Sequence, residues 1–412
     1  MKAYETGKSI LIAVLTLLAV VLSYQAWFYG SPENAGGADP FAGTQGISDG
    51  GLYLPVPFEM AVKSSGQIYG VRADRQTIES MFGRIITQVS EAVGSAGASA
   101  EIDAQAMTTI LSGDNIIYLD FYNKIPLAEL SGWVGDDPGE GTEDRVGKLV
   151  LSADADGIIS MTTIRDGQYF TSRTALELST LSSFINGITP NGCYFAFQDE
   201  RLSGIAPDIL INPEAPSIQA VTAQRHLSYD REQVEAILKP FGMNPYNTES
   251  YTDAKGTEVY VENLYEARFF KDGSILLRAP EDRIVADESN RINIAYTLIN
   301  GLLADFIGES GVYYIGGGED ERNDTVTLYF GQESGGVPLQ LPGGYAAAVT
   351  FRRGSLVQVD LFPCKISVSG DVGDLLPQRQ AAALLGAGER MELCYERTGD
   401  EYVPAWKGHG RT

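Results

Sequence analysis

The chain has 412 residues, of which 44% are hydrophobic and 10% aromatic, so it can bury a sizeable core and is not a disordered tail. Its 54 acidic residues outnumber its 30 basic ones, which gives a formal net charge of −24. A field of that sign repels nucleic acid, so we exclude a nucleic-acid-binding function.

The first predicted element is a membrane-spanning helix of 21 uncharged residues from Ser9 to Tyr29. At about 1.5 Å of rise per residue, it can cross a hydrocarbon core of roughly 30 Å. Lys2 and Lys8 precede it and the next basic residue is Lys63, which predicts a cytoplasmic N-terminus and an extracellular remainder. An interfacial aromatic belt is predicted at its far end, formed by Tyr24, Trp27, Phe28 and Tyr29.

A cleaved signal peptide is the alternative, because the most apolar stretch, residues 10–22, is short enough for one. However, no A-x-A triplet follows it, and Trp27, Phe28 and Tyr29 occupy the place where a peptidase needs small residues. We therefore favour a retained single-pass anchor.

Small residues on the predicted membrane helix indicate a possible contact face. Ala13, Thr16 and Ala19 are spaced three residues apart and fall roughly on one side. Spans associate through small residues because lipid already solvates apolar faces, so this side is the candidate contact with a neighbouring span. An ordinary lipid-facing helix with some alanine remains the alternative.

The pattern after the anchor (residues 1–30) predicts a flexible tether at residues 31–51 and then α+β domains at 52–211, 212–285 and 286–412. In the first domain, Asp74 is the predicted cap of a helix that ends at Gly94. Its predicted strands are Asn115–Tyr122, Lys148–Ser152, Gly157–Ile164 and Cys193–Gln198.

The second and third domains are predicted to repeat one plan, a helix followed by antiparallel strands. A capping box of Asp230 and Gln233 opens the second domain's helix, and apolar residues from Ile292 to Phe306 share one face of the third domain's helix. The segment ARFFKDGSILLR from Ala267 matches AVTFRRGSLVQV from Ala348 at an offset of 81 residues. This indicates a duplicated helix-plus-antiparallel-sheet module, although two similar hairpins can also arise by chance.

Residues that could support catalysis are few. The two histidines, His226 and His409, have no nucleophile motif beside them, so a Ser-His-Asp site is not expected. The three cysteines lack metal-site spacing, and Cys364 and Cys394 can form a disulfide only if their strands are neighbours. We expect no cofactor and no catalytic site.

Three further motifs fit structural interpretations better than functional ones. The segment 154–157, Asp-Ala-Asp-Gly, lacks the EF-hand residues at both ends of the register and is predicted to be a hairpin turn. Gly316–Gly318 runs into three acidic residues and is not a phosphate loop. The acidic residues between Asp136 and Asp144 lie in a Gly- and Pro-containing loop, where solvated charge is the default.

The order of four segments along nearly the whole chain resembles the YycH family, exported regulators of the YycFG (WalKR) cell-wall two-component system of Gram-positive bacteria. These segments are Lys8–Leu11, Ser23–Trp27, Met391–Glu396 and Tyr402–Lys407. The resemblance implies a non-enzymatic protein that associates with a sensor histidine kinase (YycG/WalK-like) and a YycI-like companion and restrains the kinase. It also implies that the third domain is a YycI-like module. A membrane-anchored cell-wall-associated enzyme or a ligand-binding module is the alternative.

Overall fold

The computed structural model describes Tyr53 and residues 55–131, 145–154, 156–214, 216–225, 228–243, 248–281, 284–399 and 401–409. All of them belong to one compact unit. The predicted membrane helix Ser9–Tyr29 and the predicted tether lie outside these residues. Within the described ranges, no helix is both long enough and apolar enough to cross a membrane.

The described part is a mixture of helices and antiparallel sheets, as the α+β prediction requires. Its α-helices are α1 (Arg75–Gly83), α2 (Ile86–Gly94), α3 (Ala104–Ser112), α4 (Leu127–Ser131), α5 (Leu178–Asn186), α6 (Arg231–Leu238), α7 (Arg291–Leu303) and α8 (Gln378–Ala382). Its strands are β1 (Glu59–Ser64), β2 (Gln67–Arg72), β3 (Ala100–Ile102), β4 (Ile116–Pro126), β5 (Arg145–Ala153), β6 (Ile158–Arg165), β7 (Gln168–Glu177), β8 (Tyr194–Phe195), β9 (Leu210–Ile211), β10 (Gln219–Gln224), β11 (Glu249–Thr252), β12 (Glu258–Glu262), β13 (Tyr265–Phe269), β14 (Ile275–Arg278), β15 (Gly311–Asp320), β16 (Thr325–Ser334), β17 (Val337–Pro338), β18 (Ala347–Arg352), β19 (Ser355–Leu361), β20 (Lys365–Val372), β21 (Arg390–Thr398) and β22 (Glu401–His409).

The N-terminal part is built on a seven-stranded sheet in the order β2-β1-β4-β5-β6-β7-β3. Its strand β4 is buried on both faces from Ile116 to Phe121. Because side chains alternate along a strand, Ile116, Tyr118 and Asp120 share one face. Tyr118 packs there with the apolar side chains of β5, α3 and the segment around Phe195.

The helix predicted from Asp74 to Gly94 is two helices, α1 and α2, so that prediction was wrong in its continuity. The Asp74 carboxylate does cap α1, accepting the amide of Thr77 at 3.0 Å. The break follows Gly83, where the amides of Arg84 and Ile85 bond to carbonyls three residues back. Such bonds tighten the turn and end the regular ladder.

Local turn and cap predictions are confirmed. Gly157 has φ +79° in the β5–β6 turn, and the Asp154 carboxylate accepts the amides at 156 and 158 at 2.9 Å. Asp230 and Gln233 form the predicted capping box at the start of α6. The predicted strand Cys193–Gln198 is shorter than expected, because only Tyr194–Phe195 is extended and a 3₁₀ turn follows.

A nine-stranded antiparallel sheet joins the second and third predicted domains. Its main path is β11-β12-β13-β14-β19-β18-β16-β15, with β17 paired to β16. Each half consists of one helix followed in sequence by four strands of this main path. Both segments of the predicted repeat are hairpins, β13–β14 and β18–β19.

The two halves meet in a symmetric way at strands β14 and β19. Leu277 pairs with Val359, and Arg278 pairs with Gln358. Under the offset of 81 residues, Leu277 corresponds to Gln358 and Arg278 to Val359. Replacing each residue of one pair by its counterpart in the repeat therefore gives the other pair. The hairpins are therefore related by a pseudo-two-fold axis through this pairing.

A third, four-stranded sheet brings distant parts of the chain together in the order β20-β10-β22-β21. Strand β10 follows the first predicted domain, whereas β20, β21 and β22 belong to the third. The predicted boundaries at 211/212 and 285/286 remain predictions about how the chain divides. In the described residues, the segments on either side of residue 285 share sheets.

We expect Gly308→Ala to destabilise the fold by at least about 2 kcal/mol, because two constraints act at this position. Gly308 has φ +63°, and a Cβ there would lie 2.2 Å from the carbonyl oxygen of Ile366. The control is Gly301→Ala in α7, where nothing lies within 4 Å and a gain of about 0.5–1 kcal/mol is expected. Urea unfolding followed by circular dichroism checks both, and an unchanged midpoint for Gly308→Ala would contradict the tight packing.

Candidate functional site

The site residues predicted on the membrane helix all lie outside the described residues: Ala13, Thr16 and Ala19 of the contact face, and Tyr24, Trp27, Phe28 and Tyr29 of the belt. The C-terminal segments that carry the family resemblance are described, and they form the hairpin β21–β22. This hairpin pairs with β10 through Tyr402 and Val221. It therefore connects the chain's end to the strand that follows the N-terminal sheet.

The hairpin also touches the N-terminal sheet through Trp406. The guanidinium carbon of Arg72, on β2, lies 5.1 Å from the centroid of the Trp406 ring. The indole Nε1 donates a hydrogen bond to the carbonyl oxygen of Leu376 at 2.8 Å. Trp406 is thus held between a buried arginine and the segment before α8.

Arg72 is the first member of a row of buried charges, which we call the charged row: Arg72, Glu59, Asp120 and Lys148. Strand register alone aligns them, since Glu59 pairs with both Arg72 and Asp120, and Asp120 pairs with Lys148. Each is at most 9% exposed. Directly opposed residues share a sheet face, so the row runs across β2, β1, β4 and β5.

Ion pairs join the charged row at its two ends. The Nη2 of Arg72 lies 2.5 Å from the Oε1 of Glu59. The Nζ of Lys148 lies 3.1 Å from the Oδ2 of Asp120 and 2.8 Å from the Oδ2 of Asp208, a fully buried residue just before β9. Lys148 therefore ties the sheet to the turn that precedes β9.

Tyrosine hydroxyls complete this network. Tyr118 accepts a hydrogen bond from the Lys148 ammonium at 2.8 Å and donates one to the Asp120 carboxylate at 3.2 Å. The hydroxyl of Tyr169 donates to Asp208 at 3.0 Å. Buried charges are stable when they are paired and hydrogen-bonded in this way.

The pKa values follow from burial and pairing. Burial disfavours the charged form of Lys148, but Asp120 and Asp208 outweigh it and raise the ammonium pKa. Burial also disfavours the charged form of Asp208, but Lys148 and Arg390 outweigh it, so the carboxyl pKa is lowered. At Glu59, burial raises the pKa against the attraction of Arg72. The Lys148–Asp208 pair is thus a firmly ionised contact.

The chemistry of the charged row is structural rather than catalytic in character. Its carboxylates are occupied by cations and are closed to solvent, so none is placed to exchange protons with a substrate. Within the described ranges, no group of three or more His, Cys, Asp or Glu side chains is arranged to hold a metal ion. The arrangement can fix the N-terminal sheet, the segment at Asp208 and the C-terminal hairpin in one relative position.

An open groove of about 470 Å³ lies beside the same hairpin. Its walls include Leu376, Leu384, Met391 and Trp406, with Glu389 and Lys407 among its polar residues. Leu384 is 78% exposed and Leu376 is 51% exposed. The surface next to the hairpin is therefore apolar and accessible.

Sequence reasoning missed the charged row, although a signal was present. Asp120 interrupts the apolar run IIYLDFY, and Lys148 opens the apolar run KLVLS. Charged residues are rarely buried unless they are paired, so a charge inside an apolar strand indicates a buried ion pair. The partner cannot be named without the strand register.

The remaining candidates from the sequence are the three cysteines, the two histidines and the acidic loop. Cys193, Cys364 and Cys394 are free thiols. His409 lies on β22 with its Nε2 2.9 Å from the Oε2 of Glu392. His226 and the acidic loop from Asp136 to Asp144 lie outside the described residues.

Comparison with known proteins gives one informative result. No family sequence model and no curated protein matches the chain. Among solved structures, the crystal structure of YycH from Bacillus subtilis matches with a TM-score of 0.51 at 8% sequence identity. The match covers 87% of this chain and 95% of that one.

The chain has a YycH-like fold. This bears out the resemblance drawn from the sequence at the level of the fold, across most of both chains. At 8% identity the likeness rests on the order and packing of the elements, so residue roles do not transfer from YycH with it.

We expect Lys148→Met to lower the free energy of unfolding by about 3–5 kcal/mol, because it removes the ammonium that contacts both buried carboxylates, Asp120 and Asp208. Lys124→Met is the control, since Lys124 pairs with Asp166 at the surface and should contribute no more than about 1 kcal/mol. Urea unfolding measures both values. Adding Asp208→Asn to Lys148→Met should recover part of the loss, and equal effects of the two lysine variants would contradict the buried network.

The His409 side chain should titrate above its ordinary pKa of 6.5, because the hydrogen bond to Glu392 stabilises its charged form. Since the folded pKa is raised, this contact stabilises the hairpin fully below the unfolded pKa and is lost as pH rises through the folded value. NMR titration of the imidazole measures it, with His409→Gln to identify the resonance. Glu392→Gln should lower the pKa, and an unchanged value would contradict the pairing.

Proposed function

We propose that this chain is a membrane-anchored extracytoplasmic regulator that associates with the sensor histidine kinase of a YycFG (WalKR) system and with a YycI-like companion, and that it restrains the kinase. The observation that carries the proposal is the YycH-like fold over 87% of the chain. The four sequence segments that resemble the YycH family, two of which open and close the predicted membrane helix, also support it.

The proposed placement follows from the first 30 residues. The uncharged segment Ser9–Tyr29 remains in the bilayer with Lys2 and Lys8 in the cytoplasm. The exported part beyond it contains 53 acidic and 28 basic residues, so anionic lipid repels it. The exported domains therefore stand away from the membrane surface, and the helix is the segment that meets neighbouring spans.

A regulatory role also agrees with the chemistry of the described residues. The charged row is closed to solvent and internally paired. Such a group favours a rigid exported body over turnover of a substrate. The output of the kinase would then change through contacts between this exported body and its partner proteins.

The direct test is cross-linking in membranes followed by capture of the full-length chain. We expect a sensor histidine kinase and a YycI-like protein to be recovered, and deletion of the gene to raise kinase output. Recovery of neither partner would contradict the proposed association. Clearing of peptidoglycan in a zymogram by the purified chain would favour the cell-wall enzyme instead.

The proposed contact face makes a sharper prediction. Ala13→Leu with Ala19→Leu should weaken kinase association in a bacterial two-hybrid assay at least about tenfold, because larger side chains prevent close helix packing. Val14→Leu with Val21→Leu is the matched control, since these positions lie on the other side of the helix. Equal signals from both double variants would contradict this contact face.

A further inference from the structure

A second cavity, of about 310 Å³, shares no lining residue with the groove described above. We call this cavity the arginine pocket. Its wall combines two cations with apolar residues and includes Arg225, Leu341, Tyr345, Phe362, Cys364 and Arg397. Pockets for small molecules have volumes from about 300 Å³ upwards and combine apolar walls with a few polar groups. The arginine pocket meets that description.

The two arginines reach the pocket from different elements. Arg225 follows β10, and its guanidinium donates a hydrogen bond to the hydroxyl of Tyr402, which is 1% exposed. Arg397 is on β21 and donates from Nε to the carbonyl oxygen of Gly399 at 2.8 Å. Neither guanidinium forms an ion pair with a carboxylate of the described chain. Both therefore keep positive charge that a ligand can use.

The acidic residue at the rim is engaged by its own turn. The Oδ1 of Asp272 accepts hydrogen bonds from the amide and the hydroxyl of Ser274, at 3.0 and 2.6 Å. The pocket thus has two cations and one carboxylate, in a chain whose formal charge is −24. A cationic concavity with low-dielectric walls concentrates anions at its mouth.

The pocket is suited to binding rather than to covalent chemistry. Cys364 is 2% exposed, and burial raises its thiol pKa although Arg225 and Arg397 both act to lower it. A neutral, buried thiol is a poor nucleophile. The aromatic ring of Phe362, 43% exposed, instead offers an apolar surface next to the cations.

We propose that the arginine pocket binds a small ligand that carries an anionic group, carboxylate or phosphate, on an apolar body. The anionic group lies between Arg225 and Arg397, where charge-assisted hydrogen bonds form. The apolar body lies against Phe362 and Leu341. This binding is separate from the proposed association with a kinase and stands or falls independently of it.

Ligand-observed NMR on the full-length chain in a nonionic detergent tests the proposal. The probes are 4-phenylbutanoate, 3-phenylpropyl phosphate, which has the same apolar body, and the neutral 4-phenylbutanamide. We expect one or both anions to bind at least about tenfold more tightly than the amide, since a hydrogen bond to a charged group contributes that much. Preference between the two anions identifies the ligand as a carboxylate or a phosphate. Equal binding of the amide overturns the proposal.

Matched variants locate the binding. Arg225→Met with Arg397→Met should weaken the anion at least about tenfold. Arg201→Met with Arg353→Met removes the same charge from exposed positions elsewhere and should change binding less than about twofold. Equal loss in both double variants would show a general charge effect and overturn the pocket.

Two further measurements distinguish loss of anion binding from loss of the fold. Because Arg397 is exposed, Arg397→Met alone should keep the fold and still weaken the anion. Bound anion should also shift the side-chain Nε–H resonances of Arg225 and Arg397, assigned with the single variants Arg225→Met and Arg397→Met. Unshifted resonances of both arginines at saturating anion would place the ligand elsewhere and overturn the proposal.

Discussion

The alignment of four charged side chains across four strands is the constraint on which the N-terminal half depends. Arg72, Glu59, Asp120 and Lys148 face one another only in the observed register. A slip of one residue in any of these strands would turn one member to the other sheet face and leave its partner buried without a counter-charge. That penalty, several kcal/mol for each unpaired ion, makes the register unique as well as stable.

The same row links the two ends of the described chain. Lys148 holds the segment at Asp208, and Arg72 packs against Trp406 on the C-terminal hairpin. The hairpin in turn shares a sheet with β10 and β20. Moving the N-terminal sheet relative to the C-terminal region would expose buried charges and an aromatic contact together. The two regions are therefore expected to move as one body.

The pseudo-two-fold sheet gives the second half of the molecule a different kind of order. Two hairpins with related sequences meet at β14 and β19, so each module covers the edge strand of the other. Uncovered sheet edges invite unwanted pairing, and joining two modules removes one edge from each. Each hairpin thus protects one edge of the other. At 8% identity, the likeness to YycH lies in the fold and not in individual side chains.

Local elements were largely determined by the sequence. The caps at Asp74 and Asp230, the turn at Gly157 and the two repeated hairpins follow from short-range chemistry, because the residues that interact are neighbours in the chain. The family resemblance, carried by short segments in order, gave the fold that the structural comparison supports. The break between α1 and α2 was not visible, because apolar spacing continues through it while the hydrogen bonds do not.

Tertiary structure alone decided the charged row, the groove beside the C-terminal hairpin and the arginine pocket. Their residues come from segments far apart in the chain, such as Arg225 and Arg397. Nothing local fixes which strands become neighbours or in which register they pair, since that choice depends on the free energy of the whole packed sheet. A sequence therefore indicates that Asp120 and Lys148 need partners, and only the folded chain shows that they are each other's.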